Sequence, residues 1–169
     1  LKLFVLFWIL TQFNFVILTE LKTKIMKKLL VLLMIVPMIG FGQTAEDYYN
    51  KASDYEDKGE YQLAIDNYTK CLRIDPDYEA SYQGRGFSYQ RLGNYEDAIA
   101  DYTRALRIDP DDAYSYYARG STYGDLENYE DAIADYTRAI RIDPEYRYAY
   151  QGRGYVYEEL ENYEDAIAD

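Results

Sequence analysis

The chain has 169 residues, a formal net charge of −12, no histidine and a single cysteine. These counts exclude acid–base catalysis by histidine, a thiolate zinc site and an internal disulfide. An acidic chain also repels phosphate, which argues against nucleic-acid binding. We therefore expect no cofactor, no metal site and no nucleic-acid partner.

Two segments of different composition meet near residue 42. All 22 tyrosines lie at or after Tyr48. Residues 1–42 carry five lysines and one glutamate, whereas residues 43–169 carry 13 basic and 29 acidic residues, a net charge of −16. The length suits a single domain, which we expect to occupy residues 43–169.

Residues 1–25 begin with leucine and contain the apolar stretch "LKLFVLFWILTQFNFVIL", which Thr11, Gln12 and Asn14 interrupt. One interpretation is an upstream stretch that the natural protein lacks, with Met26 as the true start. The other is a genuine membrane helix over Leu3–Leu18. The sequence leaves both interpretations open.

Residues 26–42 have the layout of a secretory signal peptide. Lys27 and Lys28 precede an apolar run over Leu29–Ile39, and Gly40 and Gly42 place small residues before a cut at Gln43. The run is shorter than the ~20 apolar residues of a membrane-spanning helix. We expect an exported protein, periplasmic or secreted. The alternative is a protein anchored in the inner membrane by this segment left uncleaved, which would be its only contact with a membrane.

A period of 34 residues organises the rest of the chain. Pro76, Pro110 and Pro144 are 34 residues apart, and the octapeptide "NYEDAIAD" begins at Asn94, Asn128 and Asn162. The period defines units 45–78, 79–112 and 113–146, followed by a partial unit, 147–169.

Each unit contains the apolar spacing of two helices. In the second unit, one face of the first helix carries Tyr82, Gly86 and Tyr89, and one face of the second carries Tyr95, Ala98, Tyr102 and Ala105. We expect most of the tyrosines at these repeated positions to be core residues.

The ends of the helices are also marked in the second unit. Gly93 is expected to end the first helix, and Asn94 to cap the second in a capping box with Asp97. Asp109 precedes a proline, which favours extended backbone and ends the second helix.

Small and charged residues recur at fixed positions. Gly86 and Ala98 predict close helix–helix approach, since a glycine inside a helix costs ~1 kcal/mol and needs a reason. Cys71 stands where the other units have alanine and is expected to be buried. The recurring arginines, Arg85 and Arg119 among them, are expected to lie along tyrosine rings or to pair with Asp101 or Asp135.

The units resemble tetratricopeptide repeats. The second unit carries the family's aromatic and small residues and its final proline at Tyr82, Gly86, Tyr89, Tyr95, Ala98, Tyr102, Ala105 and Pro110. The resemblance implies an all-α, right-handed superhelix of stacked antiparallel helix pairs. Glu127 and Glu161 depart from it, because the family has glycine there, and Arg85 and Arg119 stand where the family usually has leucine.

The resemblance also implies a concave groove lined mainly by the first helix of each unit. The matching positions give a candidate peptide-binding groove of Tyr49, Phe87, Arg91, Tyr114, Tyr117, Asp125, Tyr148 and Tyr155. Aromatic and acidic side chains suit an extended peptide that carries lysine or arginine. The alternative is a groove that only keeps the protein soluble. The positions at which some family members clamp a C-terminal carboxylate hold other residue types here, namely Tyr49, Ser53, Gly84, Tyr114 and Ala118.

We therefore expect a protein–protein interaction scaffold or peptide-binding module without catalysis of its own. The alternatives are a docking arm of a larger enzyme whose catalytic domain lies outside this chain, and a glycan-binding module. The pattern stops within the fourth unit, at Asp169. This predicts a fragment of a longer bacterial protein that self-associates through an uncovered end face.

Overall fold

The computed structural model describes residues 42–162 and Ala166. The predictions for residues 1–41 and for the end of the fourth unit, residues 163–165 and 167–169, concern parts of the chain outside the described residues. The chain divides between Gly42 and Gln43, and the part after the division is helical. The helices are α1 Ala45–Asp57, α2 Tyr61–Ile74, α3 Glu79–Arg91, α4 Tyr95–Ile108, α5 Ala113–Asp125, α6 Tyr129–Ile142 and α7 Arg147–Glu159. Among the described residues, no helix combines the length and the apolar composition needed to cross a membrane.

The predicted helix ends in the second unit are confirmed. Gly93 follows α3 with φ +78°, a left-handed conformation that glycine adopts at no steric cost. Asp109 follows α4 in extended backbone, as a residue before proline should. Glu127 and Glu161 adopt φ +57° at the positions equivalent to Gly93. The turn therefore keeps its shape where glycine is replaced, and the glutamates bear the steric cost.

The predicted capping box at Asn94 is wrong. Asn94 is the N-cap residue of α4, but its side chain makes no capping hydrogen bond. Its ψ is 68°, whereas Thr44, which does form a capping box with Asp47, has a ψ of 169°. A capping side chain reaches the first-turn amides from extended backbone, which the tight turn after Gly93 prevents. At Asp112, with ψ 105°, the side chain accepts from the amides of Tyr114 and Ser115.

Consecutive helices pack against one another throughout α1–α7. The first helices of successive units also touch, in the pairs α1–α3, α3–α5 and α5–α7. In the described part of the chain, the second helices α2, α4 and α6 make no such contacts with one another. The stack therefore curves with the first helices on its inner side, and we call this concave surface the groove.

The core is thin and built around small residues. Ala98, Ala105 and the equivalent alanines are fully buried, and so is Cys71, as predicted. The expectation that most tyrosines at the repeated positions are core residues is confirmed in a weaker form, because several of them pack against the core while only partly buried, namely Tyr55, Tyr89, Tyr116, Tyr123 and Tyr129. Of the tyrosines in the described residues, the structure buries Tyr68, Tyr102 and Tyr136 and leaves the others partly or largely exposed. In a stack only two helices thick, a long side chain with a polar tip spans the core and reaches its edge.

Close packing explains the glycines of the first helices. A Cβ atom at Gly86 would lie 3.1 Å from the ring of Tyr102, which confirms the predicted close approach. A Cβ at Gly152 would lie 2.6 Å from the ring of Tyr136, and one at Gly84 would collide with the ring of Tyr68. These two glycines open the space into which a tyrosine of the preceding unit extends.

The recurring arginines form the predicted ion pairs. The Arg85 guanidinium lies 2.7 Å from the Asp101 carboxylate, and Arg119 is at the same distance from Asp135. Each guanidinium also lies 5.6 Å from a tyrosine ring centroid on its own helix. The hydrogen bonds to Asp135 raise the pKa of Arg119. Arg85 and Arg119 stand where the family usually has leucine. At these positions the chain therefore has partly buried arginines, each paired with an aspartate.

Candidate functional site

The groove contains a pocket of about 410 Å³ between α3 and α5, with α4 behind it; we call it the central pocket. Five of the eight groove residues taken from the sequence line it: Phe87, Arg91, Tyr114, Tyr117 and Asp125. The other lining residues are Gln90, Tyr95, Tyr102, Ala118 and Ser121. The structure thus brings together residues that are up to 38 positions apart in the sequence.

The remaining three predicted residues lie elsewhere. Tyr49 stacks on Tyr78, with ring centroids 5.1 Å apart, at the start of the stack. Tyr148 is 54% exposed and lies 6.1 Å from the ring of Tyr117. Tyr155 is 60% exposed and lies further along the groove. These three side chains do not line the central pocket.

A second hollow, of about 360 Å³, follows the central pocket along the groove. Ser121 and Asp125 line both cavities, so the two are adjacent. Carboxylates from α5, the turn after it and α7 line the second hollow, together with Tyr155, and none of the described lysines or arginines does. These carboxylates are Asp125, Glu127 and Glu159. The groove is therefore acidic over two successive units.

One carboxylate of α1, Glu56, acts on two tyrosines that line the central pocket. Burial raises the pKa of Glu56, whose carboxylate accepts a hydrogen bond from the Tyr68 hydroxyl at 3.1 Å. The pKa of Tyr114 is raised to about 12, first by burial of its hydroxyl and then by Glu56. Burial and Glu56 also raise the pKa of Tyr102. At neutral pH both tyrosines are neutral and lie in a negative potential.

Among the described residues, Arg91 is the cation that lines the central pocket, and it stacks on aromatic rings. Its guanidinium carbon lies 5.6 Å from the ring centroid of Tyr61 and 6.0 Å from that of Phe87. Asp125, opposite, accepts a 2.8 Å hydrogen bond from the Gln90 amide, which also lies 3.3 Å from the Ser121 hydroxyl. One side of the pocket is thus aromatic, and the other offers oxygen acceptors.

The position of Gln90 leaves one buried hydroxyl without a partner. Gln90 is the counterpart, 34 residues on, of Glu56, which accepts from Tyr68. Because the Gln90 amide is directed towards α5, the equivalent Tyr102 hydroxyl makes no hydrogen bond to any described residue. The Tyr102 side chain is fully buried and lines the central pocket.

Sequence reasoning missed Tyr95 and Tyr102, because both were assigned to the core face of α4. One difference between the units pointed to Tyr102. Gly84 and Gly152 admit the rings of Tyr68 and Tyr136, but their counterpart is Ala118, whose Cβ occupies that space. The Tyr102 ring must therefore lie differently from the other two. In the described residues, no cluster of carboxylates or cysteine has the arrangement of a metal site.

Models of the tetratricopeptide repeat match the chain in four places. A model described as "Tetratricopeptide repeat" matches residues 45–78 and 113–146, a second of the same description matches 67–100, and one described as "TPR repeat" matches 91–127. Together they span residues 45–146 without a gap. The chain belongs to the tetratricopeptide repeat family. The resemblance inferred from the sequence is confirmed, as is the expected all-α superhelix of helix pairs.

The solved structures that this chain resembles are of the same kind. A crystal structure of MamA has a TM-score of 0.71 and 26% identity, covering 73% of this chain and 72% of that one. The first TPR of Spaghetti (RPAP3) bound to the HSP90 peptide SRMEEVD has a TM-score of 0.68 and 28% identity, covering 70% and 94%. The first TPR domain of human RPAP3 has a TM-score of 0.68 and 27% identity, covering 72% and 96%. No curated protein sequence matches the chain.

Proposed function

We propose that this tetratricopeptide repeat chain is a peptide-binding module whose groove takes an extended segment of a partner protein bearing lysine or arginine. The observation that carries the proposal is the central pocket. Five groove residues chosen from the sequence, on two different first helices, line one cavity there. Their aromatic rings supply contact area, and the neighbouring carboxylates supply the charge that selects the ligand.

The charge of the groove supports a basic partner. Asp125, Glu127 and Glu159 line the two cavities, and Glu56 acts on Tyr102 and Tyr114, against Arg91 in the central pocket. The peptide bound to the Spaghetti TPR, SRMEEVD, contains three acidic residues. Here the positions at which a carboxylate clamp would hold such a ligand carry Tyr49, Ser53, Gly84, Tyr114 and Ala118. The preference for charge is therefore reversed relative to that neighbour.

No group among the described groove residues indicates catalysis, and we propose that the chain acts by binding alone. The sequence has no histidine. Its one cysteine is fully buried, and burial raises the pKa of the thiol, which disfavours the reactive thiolate. The proposal is thus a module that recruits or positions another protein.

Binding to peptide arrays tests the proposal. We expect the chain to bind arrayed basic peptides more tightly than acidic peptides of equal length. Its affinity for the basic peptides should fall as the salt concentration is raised. Asp125→Asn should weaken this binding, whereas Asp97→Asn, a matched change on the exposed start of α4, should not. Binding to a glycan array with no binding to any peptide would contradict the proposal and favour the carbohydrate alternative.

We also propose that the chain is exported, on the basis of Lys27, Lys28, the apolar run over Leu29–Ile39 and the small residues before Gln43. Expressed in a Gram-negative host, the mature protein should begin at Gln43 and be found in the periplasm or the medium. Intact mass and N-terminal sequencing measure this. A cytoplasmic chain that still begins at Met26 would contradict it.

A further inference from the structure

The central pocket has a feature that peptide binding in general does not require. The Tyr102 hydroxyl is buried, and no described residue hydrogen-bonds to it. Leaving a buried hydroxyl unpaired costs stability, and buried polar groups without partners are rare in folded proteins. The equivalent hydroxyl of Tyr68 donates to Glu56. The unit that forms the central pocket is thus the one in which the buried tyrosine hydroxyl has no hydrogen-bond partner among the described residues.

The surroundings of this hydroxyl define the chemistry of a ligand. Burial raises its pKa, and neighbouring tyrosines and the carboxylates of Glu56 and Asp101 add to the effect. The same holds for Tyr114, whose pKa is raised by burial, Glu56 and Asp112 among other groups. A neutral hydroxyl in a negative potential favours a cationic donor. An anionic ligand would be repelled by the neighbouring carboxylates, and a purely apolar ligand would leave the Tyr102 hydroxyl without a hydrogen-bond partner.

The acceptors in the pocket favour an ammonium group over a guanidinium group. An ammonium has three N–H donors on a compact centre, and the pocket offers the Tyr102 hydroxyl, the Asp125 carboxylate and the Ser121 hydroxyl as separate acceptors. Gln90 bonds to Asp125 at 2.8 Å and lies 3.3 Å from Ser121, which holds these two groups near each other. A guanidinium has five donors in a rigid planar fork, whose geometry fits a single bidentate carboxylate better than three separate acceptors.

We propose that the central pocket is a specificity pocket for a single lysine side chain of the bound peptide, whose ammonium donates to the Tyr102 hydroxyl and the Asp125 carboxylate. The four-carbon stem packs along Phe87, Tyr114 and Tyr117, which line the same cavity as Tyr102. The inference rests on the proposed function and adds the identity of the selected residue.

The probe is a set of dodecapeptide libraries with randomised flanks free of lysine, arginine and cysteine. The libraries differ in a fixed central residue, which is lysine, trimethyllysine, arginine or norleucine. Trimethyllysine keeps the charge and removes the N–H donors, and norleucine keeps the stem without the charge. With the full chain, we expect the lysine library to bind about tenfold more tightly than the norleucine or trimethyllysine library, since a hydrogen bond to a charged group has roughly that effect.

Two matched variants locate the preference. Tyr102→Phe removes only the unpaired hydroxyl, so it should leave the melting temperature unchanged or raised, and it should abolish the preference for lysine over trimethyllysine. Tyr68→Phe removes the hydroxyl that donates to Glu56, so it should lower the melting temperature and leave that preference intact. If Tyr102→Phe does not fold, Asp125→Asn, on the exposed rim, should still reduce the preference for lysine over norleucine.

The outcomes separate this inference from the proposed function. A lysine preference that Tyr102→Phe leaves intact would overturn the lysine pocket and keep the proposed function. Libraries that bind equally well whatever their central residue would overturn both the lysine pocket and the selection of basic segments, and would leave only peptide binding. An arginine library that binds as tightly as the lysine library would also overturn the lysine pocket alone. If no library binds, the proposed function itself fails.

Discussion

The guanidinium of Arg85 and the carboxylate of Asp101 form a two-point contact between α3 and α4, with Nε 2.7 Å from Oδ2 and Nη2 2.7 Å from Oδ1. The same guanidinium donates to the Thr69 hydroxyl of the preceding unit at 3.0 Å. Arg119 repeats both contacts, with Asp135 and Thr103. The pair therefore joins the two helices of one unit and links that unit to the one before it.

Breaking the Arg85–Asp101 pair on one side should be costly. The side chains are 18% and 8% exposed, so removing one partner leaves a poorly solvated charge. We expect Asp101→Ala to lower the free energy of unfolding by about 3 kcal/mol. The double variant Arg85→Leu, Asp101→Ala should lose less than the sum of the single changes, by about 1–3 kcal/mol. Urea denaturation of the four proteins measures this coupling.

The exposed Asp111 provides the control for this cycle. Asp111→Ala lies in the turn before α5 and should change stability by about 0.5 kcal/mol or less. Additive single changes in the cycle would mean that the two charges are solvated independently in solution.

Adding a methyl group at Gly84 should destabilise the stack. A Cβ there collides with the ring of Tyr68, and this overpacking should cost about 1–3 kcal/mol despite the better helix propensity of alanine. Gly124→Ala is the matched change, because the nearest atom to its Cβ would lie 4.0 Å away. That variant should gain about 0.5 kcal/mol. If both variants are more stable than the parent in chemical denaturation, the ring of Tyr68 has room to move.

The turn between α5 and α6 should be improved by restoring glycine. Glu127 has φ +57°, a conformation that costs a residue with a side chain ~1–2 kcal/mol. Glycine avoids this cost, but it also raises the conformational entropy of the unfolded chain, which offsets part of the gain. We expect Glu127→Gly to raise the free energy of unfolding by about 0.5–1 kcal/mol. Gly93→Ala at the equivalent turn should lower it by a similar amount, although its Cβ would meet no neighbour within 4 Å. Neutral results at both positions would contradict the left-handed turn.

Glu56 should make stability depend on pH. Burial raises the pKa of its carboxyl above the usual 4.5, with Asp57 adding to the effect and the bonds from Tyr68 and Ser88 opposing it. The unfolded chain releases this proton near pH 4.5, whereas the folded chain holds it to higher pH. The contribution is therefore favourable at low pH and is lost as the pH rises through the folded value.

Glu56→Gln removes this titration. The variant should be more stable than the parent at pH 7, and the difference should shrink as the pH falls towards 4. Thermal melts at several pH values between 4 and 7 measure it. Glu46→Gln, an exposed change on the same helix, should have little effect at either end of the range. A Glu56→Gln difference that is constant with pH would mean that the carboxyl is solvated.

The sequence by itself determined the unit of this protein and most of its packing. The 34-residue period, the helix ends at Gly93 and Asp109, and the buried positions of Ala98 and Cys71 follow from local rules that act within one helix pair. The Arg85–Asp101 ion pair could also be predicted from the sequence, because its two residues recur together at the repeat period. Repetition made these inferences strong, since each unit tests the same assignment again.

The tertiary structure decided which residues form a site. The central pocket combines side chains of α3, α4 and α5 from two units, and Glu56 acts on Tyr102 and Tyr114 from a third. Period and spacing assigned Tyr102 to the core and did not reveal that its hydroxyl lacks a partner among the described residues. That property depends on the orientation of Gln90 towards α5 and on the space taken by Ala118. Both are contacts between units, and a repeat pattern describes what the units share rather than how two particular neighbours meet.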